Sequence, residues 1–282
     1  MKIHTNKFSH VAFISVFAFM LLAVMVAFPA CQSSPQGYTS SNPEVAPLYN
    51  QGLDMYVSGQ YSKATMFFER ALQADPANWA AWFMKGETLS AVRKYDQAVD
   101  AYNQAIQFNS NLADAWSGKA IAYYNLEKSD LAMESIDKAI ALNGNVAAYW
   151  HNKGLILIEL TKYDDALACY EKATSLDSSV ELYWSQKAYT QLKTKQWDAA
   201  LVSTDKALSL NELSATAWGY KGGALHELKR YEEALVAFDK GLALAPDNPA
   251  LWYSKALTLE TLKRVPEAQK CYDKARTYGY KF

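Results

Sequence analysis

The sequence predicts an all-α protein, an array of seven helix-turn-helix units in series. Three observations lead there. The stretch AWFMKG at 81–86 returns as AWSGKA at 115, YWHNKG at 149, YWSQKA at 183, AWGYKG at 217 and LWYSKA at 251, each copy 34 residues after the last. A period of that length is the mark of a stacked repeat. Inside each period, apolar and small residues recur three or four apart in two stretches split by a short turn, which is the spacing of helix faces. Half of the 282 residues are hydrophobic, with 8 Trp, 19 Tyr and 11 Phe among them, so the chain carries enough apolar surface for a continuous core.

The first element, residues 1–31, is of another kind. Lys2 and Lys7 give it a basic start, and Val11 to Phe28 then run without a charge. This is an export signal or a membrane anchor and is set aside from the fold. The run is longer than an ordinary signal core and reaches the roughly 18 apolar residues that can span a bilayer. Cys31 directly follows Ala30, which resembles the lipobox of prokaryotic lipoproteins, where a small residue precedes the Cys that is lipidated and becomes the mature N-terminus. Phe28 and Pro29 depart from that pattern, which has an aliphatic and a small residue there. Three fates are open: lipidation of Cys31, a retained helical anchor, or ordinary cleavage and release. The first two hold the chain at the cell membrane with its bulk on the extracytoplasmic side, because the basic flank stays inside. Residues 32–44, QSSPQGYTSSNPE, are rich in Ser, Pro, Gly and Asn and read as a flexible linker.

The repeats follow. Counting the Trp as the fourth residue, the units begin at 45, 79, 113, 147, 181, 215 and 249 and occupy 45–282, with Leu48 in the Trp place of the first. The eighth position is always small (Gly52, Gly86, Ala120, Gly154, Ala188, Gly222, Ala256) and the twentieth is always Ala, from Ala64 to Ala268. Small residues facing each other let two antiparallel helices approach closely. Aromatics recur at the seventeenth position (Tyr61, Tyr95, Tyr163, Trp197, Tyr231) and the twenty-fourth (Phe68, Tyr102, Tyr170, Phe238, Tyr272).

This pattern resembles the tetratricopeptide repeat, whose signature is a Trp, a Gly or Ala, an aromatic, two Ala and a Pro at these offsets. The terminal Pro stands only at Pro76 and Pro246. The resemblance implies a right-handed α-solenoid with a concave groove built from the first helix of each unit, in which family members bind peptides or protein segments without catalysis.

A Lys column accompanies the Trp: Lys85, Lys119, Lys153, Lys187, Lys221 and Lys255. It is expected to lay its stems on the core edge beside the second-helix acids Glu69, Asp137, Glu171, Asp205, Asp239 and Asp273. The competing reading is a ladder of positive charge for an anionic polymer. In the fifth unit, Gln191, Thr194 and Thr204 replace Leu or aromatics, which predicts looser packing. In the seventh, Gln269 and Arg276 replace aliphatic residues, the polar outer face that an end repeat needs.

Chemistry is sparse. His151 and His226 have no acid or Cys arranged beside them, and GYKGG at 219–223 lacks phosphate-loop spacing. Cys169 and Cys271 sit three repeats apart at a small-residue position, too far to bridge. No metal site, cofactor or catalytic residue is predicted, and 28 basic against 29 acidic side chains do not fit a nucleic-acid binder. The candidate site is therefore the groove. Family geometry places Tyr49, Leu53, Tyr56, Phe83, Glu87, Ile121, Tyr124, His151, Leu155, Glu159 and Tyr189 there. The family's carboxylate clamp of Lys at the fifth place and Asn at the ninth is absent: those pairs are Tyr49/Leu53, Phe83/Glu87, Ser117/Ile121 and His151/Leu155. An aromatic, mildly acidic groove fits an apolar or basic protein segment.

The leading functional reading is thus a non-enzymatic interaction scaffold at the outer side of the cell membrane, assisting assembly of an envelope complex. The alternative is a surface protein that binds carbohydrate through the groove aromatics, or an anionic polymer through the Lys column. Self-association is opposed by the polar last unit. An enzyme is the least expected class, because architecture consumes the repeat residues.

Overall fold

The computed structural model describes residues 42–281 and is an all-α repeat solenoid. Its residues form two compact units, 42–176 and 177–281, the division falling at the end of the second helix of the fourth repeat. The candidate anchor of residues 1–31, with Cys31, and most of the 32–44 linker lie outside the described residues.

The first unit holds α1 (Val45–Val57), α2 (Tyr61–Ala74), α3 (Trp79–Ala91), α4 (Tyr95–Phe108), α5 (Ala113–Asn125), α6 (Ser129–Leu142), α7 (Ala147–Glu159) and α8 (Tyr163–Leu176). The second holds α9 (Glu181–Lys193), α10 (Trp197–Leu210), α11 (Ala215–Glu227), α12 (Tyr231–Leu244), α13 (Pro249–Thr261) and α14 (Val265–Thr277). Odd-numbered helices are the first of each repeat and even-numbered ones the second.

Two features of the sequence set this geometry. At the eighth position, a Cβ added to Gly52, Gly86, Gly154 or Gly222 would come within 2.6–2.7 Å of the ring at the twenty-fourth position of the same repeat, Phe68, Tyr102, Tyr170 or Phe238. The small residue is the socket for that ring. Where the socket is Ala120 or Ala188, the twenty-fourth position is not aromatic but Ile136 or Thr204. The fifth repeat is therefore compensated, not simply loosened: Ala188 and Thr204 are fully buried, and Gln191 accepts a 2.7 Å hydrogen bond from Ser203. Thr190 and Thr204 likewise bond backbone carbonyls of their own helices, as burial requires, while Gln186 Oε1 is left without a partner among the described residues.

The second feature is the turn between the paired helices. Its fifteenth position is left-handed in every repeat, with Gly59 at φ 73° and Arg93, Glu127, Thr161, Lys195, Lys229 and Lys263 at φ 57–61°. Only the first repeat uses the residue with no Cβ penalty there.

The Trp sits at the edge of the core, not inside it. Trp218 is 9 % exposed and the others are half-buried. Each indole N–H donates to a carbonyl six residues upstream: Trp82 to Pro76, Trp116 to Ser110, Trp150 to Gly144, Trp184 to Ser178, Trp218 to Glu212 and Trp252 to Pro246. The ring thus staples the loop that enters its own helix. Lys85, Lys119, Lys187, Lys221 and Lys255 lie over the adjoining indoles at 4.8–5.9 Å. Four of the column also bond the second helix of the preceding repeat: Lys85–Glu69 at 2.9 Å, Lys153–Asp137 at 2.7 Å, Lys221–Asp205 at 2.6 Å, and Lys255–Asp239. Positive and negative groups therefore alternate, and these four lysines do not form an uncompensated ladder. Such half-exposed pairs contribute little stability each, about 0–1 kcal/mol; their value lies in fixing the register between repeats.

Candidate functional site

In the first unit the first helices of neighbouring repeats, α1, α3, α5 and α7, touch in succession and make one face. The predicted groove residues divide into floor and opening on that face. Phe83, Glu87, Ile121, His151 and Leu155 are 3–5 % exposed and form a closed floor. Tyr49, Leu53, Tyr56 and Tyr124 are half-buried and Glu159 is exposed, so these five reach the surface. Tyr49 leans on Phe68 and Tyr56 on Tyr61, with ring centroids 5.7 and 5.6 Å apart. Tyr189 belongs to the second unit, where it is 2 % exposed against Tyr220 at 5.6 Å, with the Lys193 ammonium over its ring. Val57, 78 % exposed at the end of α1, adds an apolar side chain that the predicted set omitted. Its place four residues after Leu53, on the same stripe of α1, was the available signal.

Polar bonds fix the floor. Tyr102 of α4 donates to Glu87 Oε1 at 2.6 Å, and Ser90 Oγ lies 3.2 Å from the same phenol. Tyr102 is clasped between Gly86 and Gly118; a Cβ on Gly118 would lie 2.6 Å from the Tyr102 ring. Tyr149 of α7 donates to Asp114 of α5 at 2.5 Å, and Asn152 Nδ2 donates to Ser117 Oγ at 3.1 Å. Both bonds tie the first helices of the third and fourth repeats together.

Burial pushes the Glu87 carboxyl up to about 7, opposed by the Tyr102 hydrogen bond and assisted by the negative charge of Asp114. Burial also raises the Glu159 carboxyl, with Glu127 adding to it. His151, packed 5.7 Å from the Tyr170 ring, is held down to about 4 by burial and is neutral at neutral pH. Cys169 and Cys271 are buried free thiols, and burial raises Cys169 to about 11. Among the described residues, no group of three or more His, Cys, Asp or Glu is placed to hold a metal ion. What the face can do is offer a fixed apolar surface with negative charge set into it.

Models of the tetratricopeptide repeat match residues 67–100, 94–127, 113–146, 147–179 and 215–248. The sequence has no significant match among curated protein sequences. Among solved structures, YrrB, described as a tetratricopeptide repeat protein with an unusual peptide-binding site, is 21 % identical with a TM-score of 0.57, covering 67 % of this chain and 97 % of its own. A tetratricopeptide repeat protein from Parabacteroides merdae is 15 % identical with a TM-score of 0.64, covering 84 % and 93 %. MamA is 22 % identical with a TM-score of 0.52, covering 58 % and 96 %. At these identities the likeness is one of fold.

Proposed function

The chain belongs to the tetratricopeptide repeat family, and we propose that the α1–α3–α5–α7 face docks an apolar or basic segment of another protein, with the N-terminal segment holding this non-enzymatic scaffold on the outer side of the cell membrane. One observation carries the docking reading. The charged residues of those four helices are Asp54, Asp114 and Glu159 against Lys85, Lys119 and Lys153, with Glu87 buried in the floor. All three lysines belong to the Trp column, where Lys85 and Lys153 are neutralised by second-helix acids and Lys119 lies over Trp116. That leaves Tyr49, Leu53, Tyr56, Val57 and Tyr124 beside acids, with Lys119 held over Trp116 as the one lysine of these four helices that no carboxylate pairs among the described residues. A fixed apolar surface with negative charge selects cationic, apolar segments by complementarity.

YrrB's peptide-binding site lends the reading a precedent on the same fold. The tether rests on the uncharged Val11–Phe28 run, its basic flank and Cys31 after Ala30. Assistance in assembling an envelope complex is the role that such a tethered scaffold fits.

The test is capture from the membrane fraction of cells carrying the full chain, beside a Leu53→Asp, Tyr124→Ala variant of equal melting temperature. The expected result is a membrane-bound chain that retains a partner through a Lys- or Arg-containing apolar segment. Binding should fall at least about tenfold in the variant, the loss of one good contact. Equal capture by both forms would remove the docking face, and a soluble chain would remove the tether.

A further inference from the structure

The repeats serve as controls for one another. At the twenty-fifth position six of them carry an acid, Glu69, Asp137, Glu171, Asp205, Asp239 and Asp273; the second carries Asn103. Four of those acids bridge to the Lys sixteen residues on. Asn103 gives up that bridge. Lys119 is left over the rings of Trp116 and Tyr123, at 4.8 and 5.7 Å, with no carboxylate within ion-pair distance among the described residues. A residue that breaks a repeated stabilising pattern without a structural gain is a candidate for a role of its own.

Asn103 is not isolated. Helix α4 carries Gln97, Asn103, Gln104 and Gln107, whereas the other six second helices together carry only Gln73 and Gln269. Three of these carboxamides, Gln97, Asn103 and Gln104, line an open cleft of about 830 Å³ between α2 and α4. None of the three makes a hydrogen bond to another described residue. Trp82 and Leu89 give the cleft an apolar side, and its charges balance, Glu69 and Asp100 against Lys85 and Lys94. All of this lies in the first unit, on α2, α4 and the Trp82–Lys85–Leu89 side of α3, away from the apolar side chains of the docking face.

We propose that this cleft binds a neutral polyhydroxylated ligand, an oligosaccharide. A carboxamide both donates and accepts, as does each sugar hydroxyl, so three adjacent carboxamides can pair with neighbouring hydroxyls in either direction. The Trp82 side offers an apolar partner for the C–H face of a pyranose ring, and an amphipathic aromatic suits a ligand that is apolar on one face and wet on the other. Balanced charge gives an anionic or cationic ligand no advantage. The cleft volume lies within the range of small-molecule sites. The inference is independent of the docking face and stands or falls separately.

The test is calorimetric titration of the full chain, in a detergent without a sugar headgroup, with maltohexaose, cellohexaose and chitohexaose. At least one should bind with a Kd below about 1 mM. Asn103→Asp restores the acid of the other repeats and supplies Lys119 with its bridge, so it should fold at least as stably as the native chain. Combined with Gln97→Ala and Gln104→Ala it should weaken saccharide binding tenfold or more, while Tyr124→Ala leaves binding unchanged. The proposal is overturned if none of the three saccharides binds, if the cleft variant binds as well as the native chain, or if Tyr124→Ala abolishes binding and so moves the sugar to the other face.

Discussion

Replacing Glu87 by Gln should stabilise the protein by an amount that depends on pH. Glu87 is 5 % exposed, and burial raises its carboxyl from an ordinary 4.5 to about 7. A carboxyl raised on folding binds its proton more tightly in the native state. Its full contribution is present below pH 4.5 and is lost as pH rises through 7. The shift corresponds to about 3 kcal/mol of stability withdrawn between those limits. His151 works in the opposite sense: burial lowers it from 6.5 to about 4, so the unfolded chain binds more protons across that window and stability rises with pH there. The two slopes oppose each other between pH 4.5 and 6.5, and the native profile alone would hide both. The difference between Glu87→Gln and the native chain isolates Glu87, because His151 is common to both. From pH 5 to pH 8 that difference should grow by about 2–3 kcal/mol. At about 2–4 °C per kcal/mol for a domain of this size, it would be seen as a gap in Tm widening by several degrees, followed by circular dichroism. Gln retains a carbonyl for the Tyr102 hydroxyl, so the hydrogen bond at the floor is kept. A gap that stays constant from pH 5 to 8 would refute the reasoning, since it would mean that Glu87 is ionised in the native state throughout.

Two further substitutions test the packing that builds the docking face. Gly118→Ala places a Cβ 2.6 Å from Tyr102 Cζ and 2.8 Å from its hydroxyl, and the fully buried ring has Gly86 on its other side, so a loss of about 1–3 kcal/mol is expected. Adding Tyr102→Phe should recover part of that loss in urea unfolding, and no recovery would place the strain elsewhere. Thr161→Gly should stabilise by about 1 kcal/mol, because a β-branched residue there holds φ 57°, where Gly59 serves the first repeat. A lower Tm than the native chain would show that the Thr161 side chain makes a compensating interaction.

Much of the fold was legible because a repeat states each packing rule several times. The first helices begin at Val45, Trp79, Ala113, Ala147, Glu181, Ala215 and Pro249, the residues at which the 34-residue count starts each unit. The small-residue and aromatic columns carried the socket and the ring. The pairing between them, Gly with Phe or Tyr and, in the third and fifth repeats, Ala with Ile136 or Thr204, was equally present in the sequence, with Ala256 and Tyr272 of the last repeat the exception; reading the fifth repeat alone made Thr204 look like a defect. The size of the Trp suggests burial, yet the indole N–H needs a carbonyl, and that bond holds it at the edge. The Lys–acid pairing was readable from charge and position. The depth of each groove side chain was not. Phe83 and Leu53 both sit on first-helix positions assigned to the face, but the distance between neighbouring first helices closes over one and leaves the other half open.

That division between repeated and varied positions also explains how one array can present chemically different surfaces. The Trp staple, the Lys bridge and the ring socket use the fourth, seventh, eighth, twenty-fourth and twenty-fifth positions, and they fix each repeat against its neighbour. Together with the buried Ala of the twentieth position they leave the exposed positions free to vary. In the second repeat that freedom extends into the set, because Asn103 takes the place of the bridging acid. Lys119 without a bridge should cost little, since a half-exposed pair contributes about 1 kcal/mol or less. A stacking array that spreads its stability over many such small terms can lose one locally and keep its fold. That is the condition under which a cleft with uncommitted carboxamides can arise on α4 while the α3 side of the same repeat keeps Glu87 and Phe83 in the floor of the docking face.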